Sequence, residues 1–196
     1  MQTVLLLMVS YLAGAIPFSY IFAHWFLDID IREEGSGNVG STNVLRTAGK
    51  QVALASFTGD VLKGILAAWL GMHFGGELLA ALCSVAAVIG HCWPVYLGFK
   101  GGKGVATSAG IVLYLFPQGA LISLVIFIIV VAISRYVSLG SILVAALLPF
   151  WMALYHKPLA ILVMGAVMAG LVIFKHWENI KRLLSGSEMK IGKTTE

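Results

Sequence analysis

The sequence predicts an all-α polytopic membrane protein of seven transmembrane helices, with its N-terminus outside and its C-terminus in the cytoplasm. Three observations carry this expectation. Of the 196 residues, 59% are apolar and 11% charged, against about 45–50% and about 25% in a soluble domain. Apolar runs close to the ~20 residues that cross a hydrocarbon core recur along the chain. Lysine and arginine collect in alternate connections between those runs, as the positive-inside rule requires of cytoplasmic loops. The net charge of +4 therefore reports topology, and no nucleic-acid partner is expected. No soluble domain or linker interrupts the pattern, so residues 1–196 read as one integral membrane domain.

The first span is Val4 to Leu27, with Pro17 inside it. It lacks the basic start of a cleavable leader and is long enough to cross. Val52 to Met72 follows, entered through a polar end that holds Asp60 and Lys63, and Leu78 to Leu97 is the third span. Val105 to Ser134 reads either as one long helix or as a hairpin hinged at Phe116-Pro117-Gln118-Gly119, where proline removes a helix hydrogen bond. Charge selects the hairpin: only then do Arg32, Arg46, Lys50, Lys100, Lys103, Arg135 and the tail from Lys175 to Lys193 share one side. Ile142 to Tyr155 with its flanks and Leu159 to Phe174 complete the seven. Cys83 and Cys92 fit neither a disulfide framework nor a zinc site. His24, His73 and His156 fall at segment ends, and no His/Asp/Glu set has metal-ligand spacing.

Three polar clusters fall on the cytoplasmic side. The first is GSGNVGSTNVLRTAGK, Gly35 to Lys50. Gly35, Gly37 and Gly40 let the backbone turn its N–H groups onto an anion. Ser36, Asn38, Ser41, Thr42 and Asn43 add neutral donors, and Arg46 adds a planar fork suited to phosphate. The G-x-G-x-x-G spacing does not signify a dinucleotide site, because a membrane helix precedes it instead of a strand. A flexible interfacial turn would collect the same residue types. The second cluster is GHCWPVYLGFKGGKGVAT. Gly101, Gly102 and Gly104 surround Lys103 just before a helix resumes at Val105, a helix N-terminus that favours an anion. His91 is either an acid–base group or a hydrogen-bonded structural residue. The third cluster is KHWENIKRLLSGSEMK, in which His176 and Asn179 share a helix face and Lys175, Lys181 and Arg182 add charge. A basic tail on the membrane surface is the plain alternative. Asp60 and Lys63, three apart, are either functional intramembrane charges or an ion pair closing the cavity floor.

Two glycine-rich loops with a lysine and an arginine suggest two phosphate groups bound beside a hydrocarbon space. No Ser-His-Asp set or G-x-S-x-G elbow is present, which argues against serine-hydrolase chemistry. A transporter of a phosphorylated metabolite is the competing class, but it calls for polar groups on both faces or at mid-membrane.

GSGNVGSTNVLR, GHCWPVYLGFKGGKGVAT and KHWENIKRLLSGSE resemble, in order and spacing, the three signature motifs of the bacterial acyl-phosphate:glycerol-3-phosphate acyltransferases of the PlsY type. Departures are small: Val39 stands where proline is frequent, Ser41 where alanine is, and Lys175 where arginine is usual. The resemblance implies a multi-pass enzyme of the bacterial plasma membrane with its active site facing the cytoplasm. It would move an acyl group from acyl-phosphate to the sn-1 hydroxyl of glycerol-3-phosphate, giving lysophosphatidate and phosphate, with no cofactor or metal and as a monomer. In this reading Ser36, Arg46 and the N–H groups from Gly37 to Gly40 take one phosphate. Lys103, with Gly102 and Gly104, takes the other or the tetrahedral oxyanion. Gly35, Asn38, Thr42, Asn43, Gly101, Lys181 and Arg182 complete the substrate contacts. His176 and Asn179 orient glycerol-3-phosphate, and the base is His176 or an oxygen of a substrate phosphate. The apolar segments from Val105 to Ser134 are candidates for an acyl groove.

Overall fold

The computed structural model describes residues 1–192, so Lys193 of the third cluster lies outside the described residues. Among those residues every regular element is helical. The first span is broken: α1 (Gln2–Ala15) and α2 (Phe18–Leu27) are separated at Ile16-Pro17. Proline supplies no N–H there, and Lys63 from a neighbouring helix donates to the Ile16 carbonyl at 2.8 Å. A short α3 (Ser41–Thr47) leads into α4 (Gly49–Cys92).

Helix α4 contains the second expected span and most of the third, which stops at Cys92 and not at Leu97, because the chain reverses inside it. Gly75 and Gly76 leave helical geometry, and Gly76 sits at φ 67, ψ −158, a region open essentially to glycine alone. Past the turn, Gly71 lies so close to Ala80 that a Cβ on it would fall 2.4 Å from the Ala80 Cα. Helix α5 (Val105–Leu115) crosses the first half of α4 in the same close manner, with Gly64 against Thr107 and Gly110 against Val61. Small residues at such crossings let backbones approach where no hydrophobic force drives association.

The hinge expected at Pro117 is present. α5 ends at Leu115, and α6 (Pro117–Ser134) begins with proline at its first position. Phe116 between them is fully buried. At 11 residues, α5 is only ~16 Å long, about half a hydrocarbon core. Helices α7 (Val137–Leu154) and α8 (Leu159–Lys175) follow, and α9 (Trp177–Leu184) bends 58° away from α8. Only Gly119 of α6 is buried, while Leu121, Leu124, Ile128, Ile129 and Ile133 face outward, as expected of a helix bathed in lipid. Among the described residues four helical stretches can cross a membrane by length and composition, Gln2–Leu27, Gly49–Leu97, Pro117–Ser134 and Val137–Leu154, with a fifth if the bent pair α8–α9 counts as one span. The centre is a packed layer of Ile111, Phe116, Met152, Met164 and Met168. The polar clusters gather at one end of it.

Candidate active site

The three polar clusters meet around a single cavity of about 290 Å³, reached by Ser36, Asn38, Thr42, Arg46, Lys103, His176, Asn179 and Arg182. The loop before α3 is shaped by Asn43. Its Oδ1 accepts from the Ser36 N–H at 2.9 Å, and its Nδ2 donates to Ile31 O and Glu34 O at 3.1 and 2.9 Å. That amide is committed to the loop, and it holds Ser36 at the rim. Gly35 and Gly37 take positive φ of 59 and 67°, which is how the loop folds back on Asn43. Gly40 lines the cavity directly.

The second cluster is built around His91, which is buried. Its carbonyl accepts from the Gly102 N–H at 3.1 Å, and its Nδ1 lies 3.2 Å from Thr107 Oγ1 and 3.4 Å from Asp60 Oδ1. A Cβ on Gly102 would stand 2.2 Å from His91 Nε2, and one on Gly101 would stand 2.2 Å from the His91 carbonyl. These two glycines therefore act by letting the loop lie on His91. Gly104, at φ 82, caps the N-terminus of α5. Asp60 and Lys63 pair at 2.7 Å, both buried, so the ion-pair reading describes them, and Asp60 with His91 lines the cavity.

Lys103 enters the cavity and donates to Asn179 Oδ1. The amide's orientation follows from its other side, where Nδ2 donates to Glu188 Oε1 at 2.7 Å. A carboxylate only accepts, and an ammonium only donates. Glu188 also accepts from Ser138 Oγ and Arg182 Nε, each at 2.7 Å. Burial pushes the Glu188 carboxyl up, but these three donors outweigh it and hold it below the ordinary carboxylate value. Lys103 is pulled down to about 8, first by burial and then by the cations Arg182, Arg46 and Lys175, against the pull of Glu188. Arg46 reaches across from α3 to the Met189 carbonyl at 3.2 Å, which ties the first cluster to the third.

His176 lies at the bend between α8 and α9, 3% exposed. Its Nδ1 is 2.7 Å from the Val172 carbonyl. A carbonyl only accepts, so Nδ1 carries the proton and Nε2 keeps its lone pair. Burial, then the nearby Lys103 charge, lowers the ring to about 4, so it is neutral at pH 7.

Lys181, expected among the substrate contacts, does not reach the cavity: it is on the outer face of α9, paired with Glu178 at 3.0 Å and over the Trp177 ring. Lys175 donates to the Cys92 carbonyl at 3.1 Å and sits over the Trp93 ring, closing the end of α4. Sequence reasoning passed over Ser138, Ser141 and Glu188, all of which line the cavity. The available signal for the two hydroxyls was a pair of serines three apart in an otherwise apolar helix; Glu188, one of several acids in the tail, had none.

The arrangement offers three cations, two imidazoles, of which His176 is neutral, and several hydroxyls at the end of an apolar bundle. The family model of glycerol-3-phosphate acyltransferase matches residues 4–186. The chain is 56% identical over 191 residues to the glycerol-3-phosphate acyltransferase of Syntrophomonas wolfei subsp. wolfei, covering 97% of this chain and 98% of that one. It is 44% identical over 196 residues to that of Thermoanaerobacter sp. strain X514, covering 100% and 99%. Two crystal structures of PlsY (YgiH), an integral membrane glycerol 3-phosphate acyltransferase, are similar throughout. The glycerol 3-phosphate form superposes with TM-score 0.94 at 38% identity, and the lysophosphatidic acid form with 0.91 at 37%, each covering 98% of this chain and 96% of that one. The chain belongs to the glycerol-3-phosphate acyltransferase family.

Proposed function

We propose that this protein transfers an acyl group from acyl-phosphate to the sn-1 hydroxyl of glycerol-3-phosphate, releasing lysophosphatidate and inorganic phosphate. The observation that carries this reading is the convergence of Arg46, Lys103 and Arg182 on one cavity that continues into an apolar groove. An acyl-phosphate needs both: cations for its phosphate and for the acceptor's, and hydrocarbon walls for its tail.

The hydroxyl oxygen attacks the carbonyl carbon, the C–O bond to phosphate breaks, and the hydroxyl proton leaves. An acyl-phosphate is already activated, so the protein's contribution is positioning and charge stabilisation. Positioning alone is worth ~7–11 kcal/mol in well-aligned cases. A donor aimed at the developing oxyanion adds ~2.7–4 kcal/mol. Arg46 and Ser36 are assigned to one phosphate, and Lys103 with the N-terminus of α5 to the other or to the oxyanion. Asn179 and Glu188 hold Lys103 and Arg182 in place. Asn38 and Thr42 border the same space. Two acceptors are open to the hydroxyl proton. Nε2 of His176 carries a free lone pair, but a ring at about 4 is a weaker base than a phosphate monoester, whose second pKa is ~6. Bound dianions raise the ring and narrow that gap.

The chain is read as seven membrane segments in a bacterial plasma membrane, with the N-terminus outside and the site on the cytoplasmic face. The support is charge: Arg32, Arg46, Lys100, Lys103, Arg135 and the α9 cations fall on that side. One domain working as a monomer suffices, because every group invoked comes from one chain.

The test is phosphate release by purified protein in lipid nanodiscs given palmitoyl-phosphate, with and without glycerol-3-phosphate. Release dependent on glycerol-3-phosphate supports the reading. Acyl transfer from palmitoyl-CoA or acyl carrier protein alone would contradict the donor. Glycerol-3-phosphate flux across sealed vesicles without transfer would instead indicate a transporter.

A further inference from the structure

A second cavity of about 190 Å³ opens from the inner edge of the polar one, and the two share Phe57, Val105, Phe127 and Ser141. Its walls are apolar faces of α5, α6, α7 and α8. Its depth follows from helix geometry. Val105 to Val112 on α5 and Ser141 to Leu148 on α7 are each separated by seven helical steps, or about 10 Å at 1.5 Å per step. On α8, Met168 lies eight residues below His176, about 12 Å by the same rise. Val112, Leu148 and Met168 end the space, because the same three side chains belong to the packed layer with Phe116, Met152 and Met164. Those last three are 0–2% exposed, so nothing passes straight through.

An extended alkyl chain advances ~1.3 Å per carbon from ordinary C–C geometry. About eight carbons therefore fill the groove. Among the described residues, the rest of a longer chain has one visible exit. Phe57 on α4 and Leu124 on α6 line the groove yet are 43% and 53% exposed, and Ala109 between them is exposed too. This side faces lipid.

We propose that the floor of Val112, Leu148 and Met168 gauges the donor's acyl chain. The carbons nearest the carboxyl run straight down to the floor, and the remainder leaves sideways between Phe57 and Leu124 into the bilayer. The proposal rests on the acyl-phosphate reading of the polar cavity. The enzyme then discriminates among short chains, where each added methylene gains buried surface, and is indifferent among long ones, whose ends are already in lipid.

The experiment is kcat/KM for butyryl-, octanoyl-, lauroyl- and palmitoyl-phosphate in nanodiscs, for the wild type and two variants. In the wild type kcat/KM rises from butyryl to octanoyl by at most about fourfold per carbon and then levels off. Ala145→Leu, one turn below Ser141, fills the groove. It lowers octanoyl- and palmitoyl-phosphate use about tenfold or more while leaving butyryl-phosphate within about twofold, a comparison that also certifies the fold. Met168→Ala deepens the floor and moves the plateau two or three carbons longer. Equal loss at every chain length in Ala145→Leu, or a wild-type profile that keeps climbing from octanoyl to palmitoyl, overturns the gauge. Failure of the wild type with every acyl-phosphate overturns the underlying reading and the gauge with it.

Discussion

Lys103 offers the sharpest test of the site's electrostatics. In the unliganded protein its ammonium is lowered to about 8, mainly by burial and further by Arg182, Arg46 and Lys175. It is cationic below that pH and neutral above it, so anion binding is lost as pH rises. The profile of kcat/KM reports groups of the free enzyme. With a pKa of about 8, the cationic fraction falls from about nine-tenths at pH 7 to about 3% at pH 9.5, so kcat/KM should drop about 30-fold. Glycerol-3-phosphate is a dianion across that range and adds no break of its own. The assay is initial phosphate release at subsaturating glycerol-3-phosphate between pH 6.5 and 10. Lys103→Arg keeps its charge to beyond pH 12. It should run more slowly, because a fork cannot reproduce the ammonium's single contact with Asn179, but its alkaline limb should vanish. A flat wild-type profile to pH 9.5, or an unchanged break in Lys103→Arg, would refute the assignment of the anion site to Lys103.

Three further outcomes follow from the same geometry. Glu188→Gln gives a buried amide in place of the carboxylate that orders Asn179, Arg182 and Ser138. Each charge-assisted hydrogen bond carries ~1.5–3 kcal/mol, so kcat/KM should fall about tenfold or more per bond weakened, read by the phosphate assay on folded protein. Gly102→Ala puts a methyl 2.2 Å from His91 Nε2 and 2.6 Å from the Val39 carbonyl, so the Lys103 loop must lift. Turnover should fall at least about tenfold, and a variant with wild-type kcat/KM would show that the loop's seat on His91 is irrelevant. His176→Gln should retain most of kcat if a substrate phosphate oxygen takes the proton, and should lose about 10²–10⁴-fold if Nε2 is the base.

Much of this site was legible in the sequence because its chemistry contrasts with its surroundings. In a chain this apolar, clusters of glycine, arginine, lysine and asparagine stand out, and Pro117 marked the α5–α6 hinge that brings them to one side. Arg46, Lys103, His176 and Asn179 reach one cavity as expected. What stayed hidden depends on contacts between residues far apart in the chain. Glu188 is defined by Ser138, 50 positions away, and nothing local distinguishes it from a solvated acid. Helical facing decided Lys181, which lies one residue from Arg182 yet on the outer side of α9. The loop-holding bonds of Asn43 were also hidden, because loop-holding and ligand-holding asparagines have the same local signature and only its partners Ile31, Ser36 and Glu34 show the former. The broken first span was readable at Pro17, but its repair by Lys63 was not.

In the proposed reaction the acceptor's hydroxyl attacks the acyl carbon of a donor whose phosphate leaves. Glycerol-3-phosphate carrying ¹⁸O in its sn-1 hydroxyl, incubated with palmitoyl-phosphate and the purified protein, tests that directly by mass spectrometry. The label is expected in the ester oxygen of lysophosphatidate and none in the phosphate released. Label in phosphate or in a bisphosphorylated glycerol, or phosphate release without labelled lysophosphatidate, would contradict it.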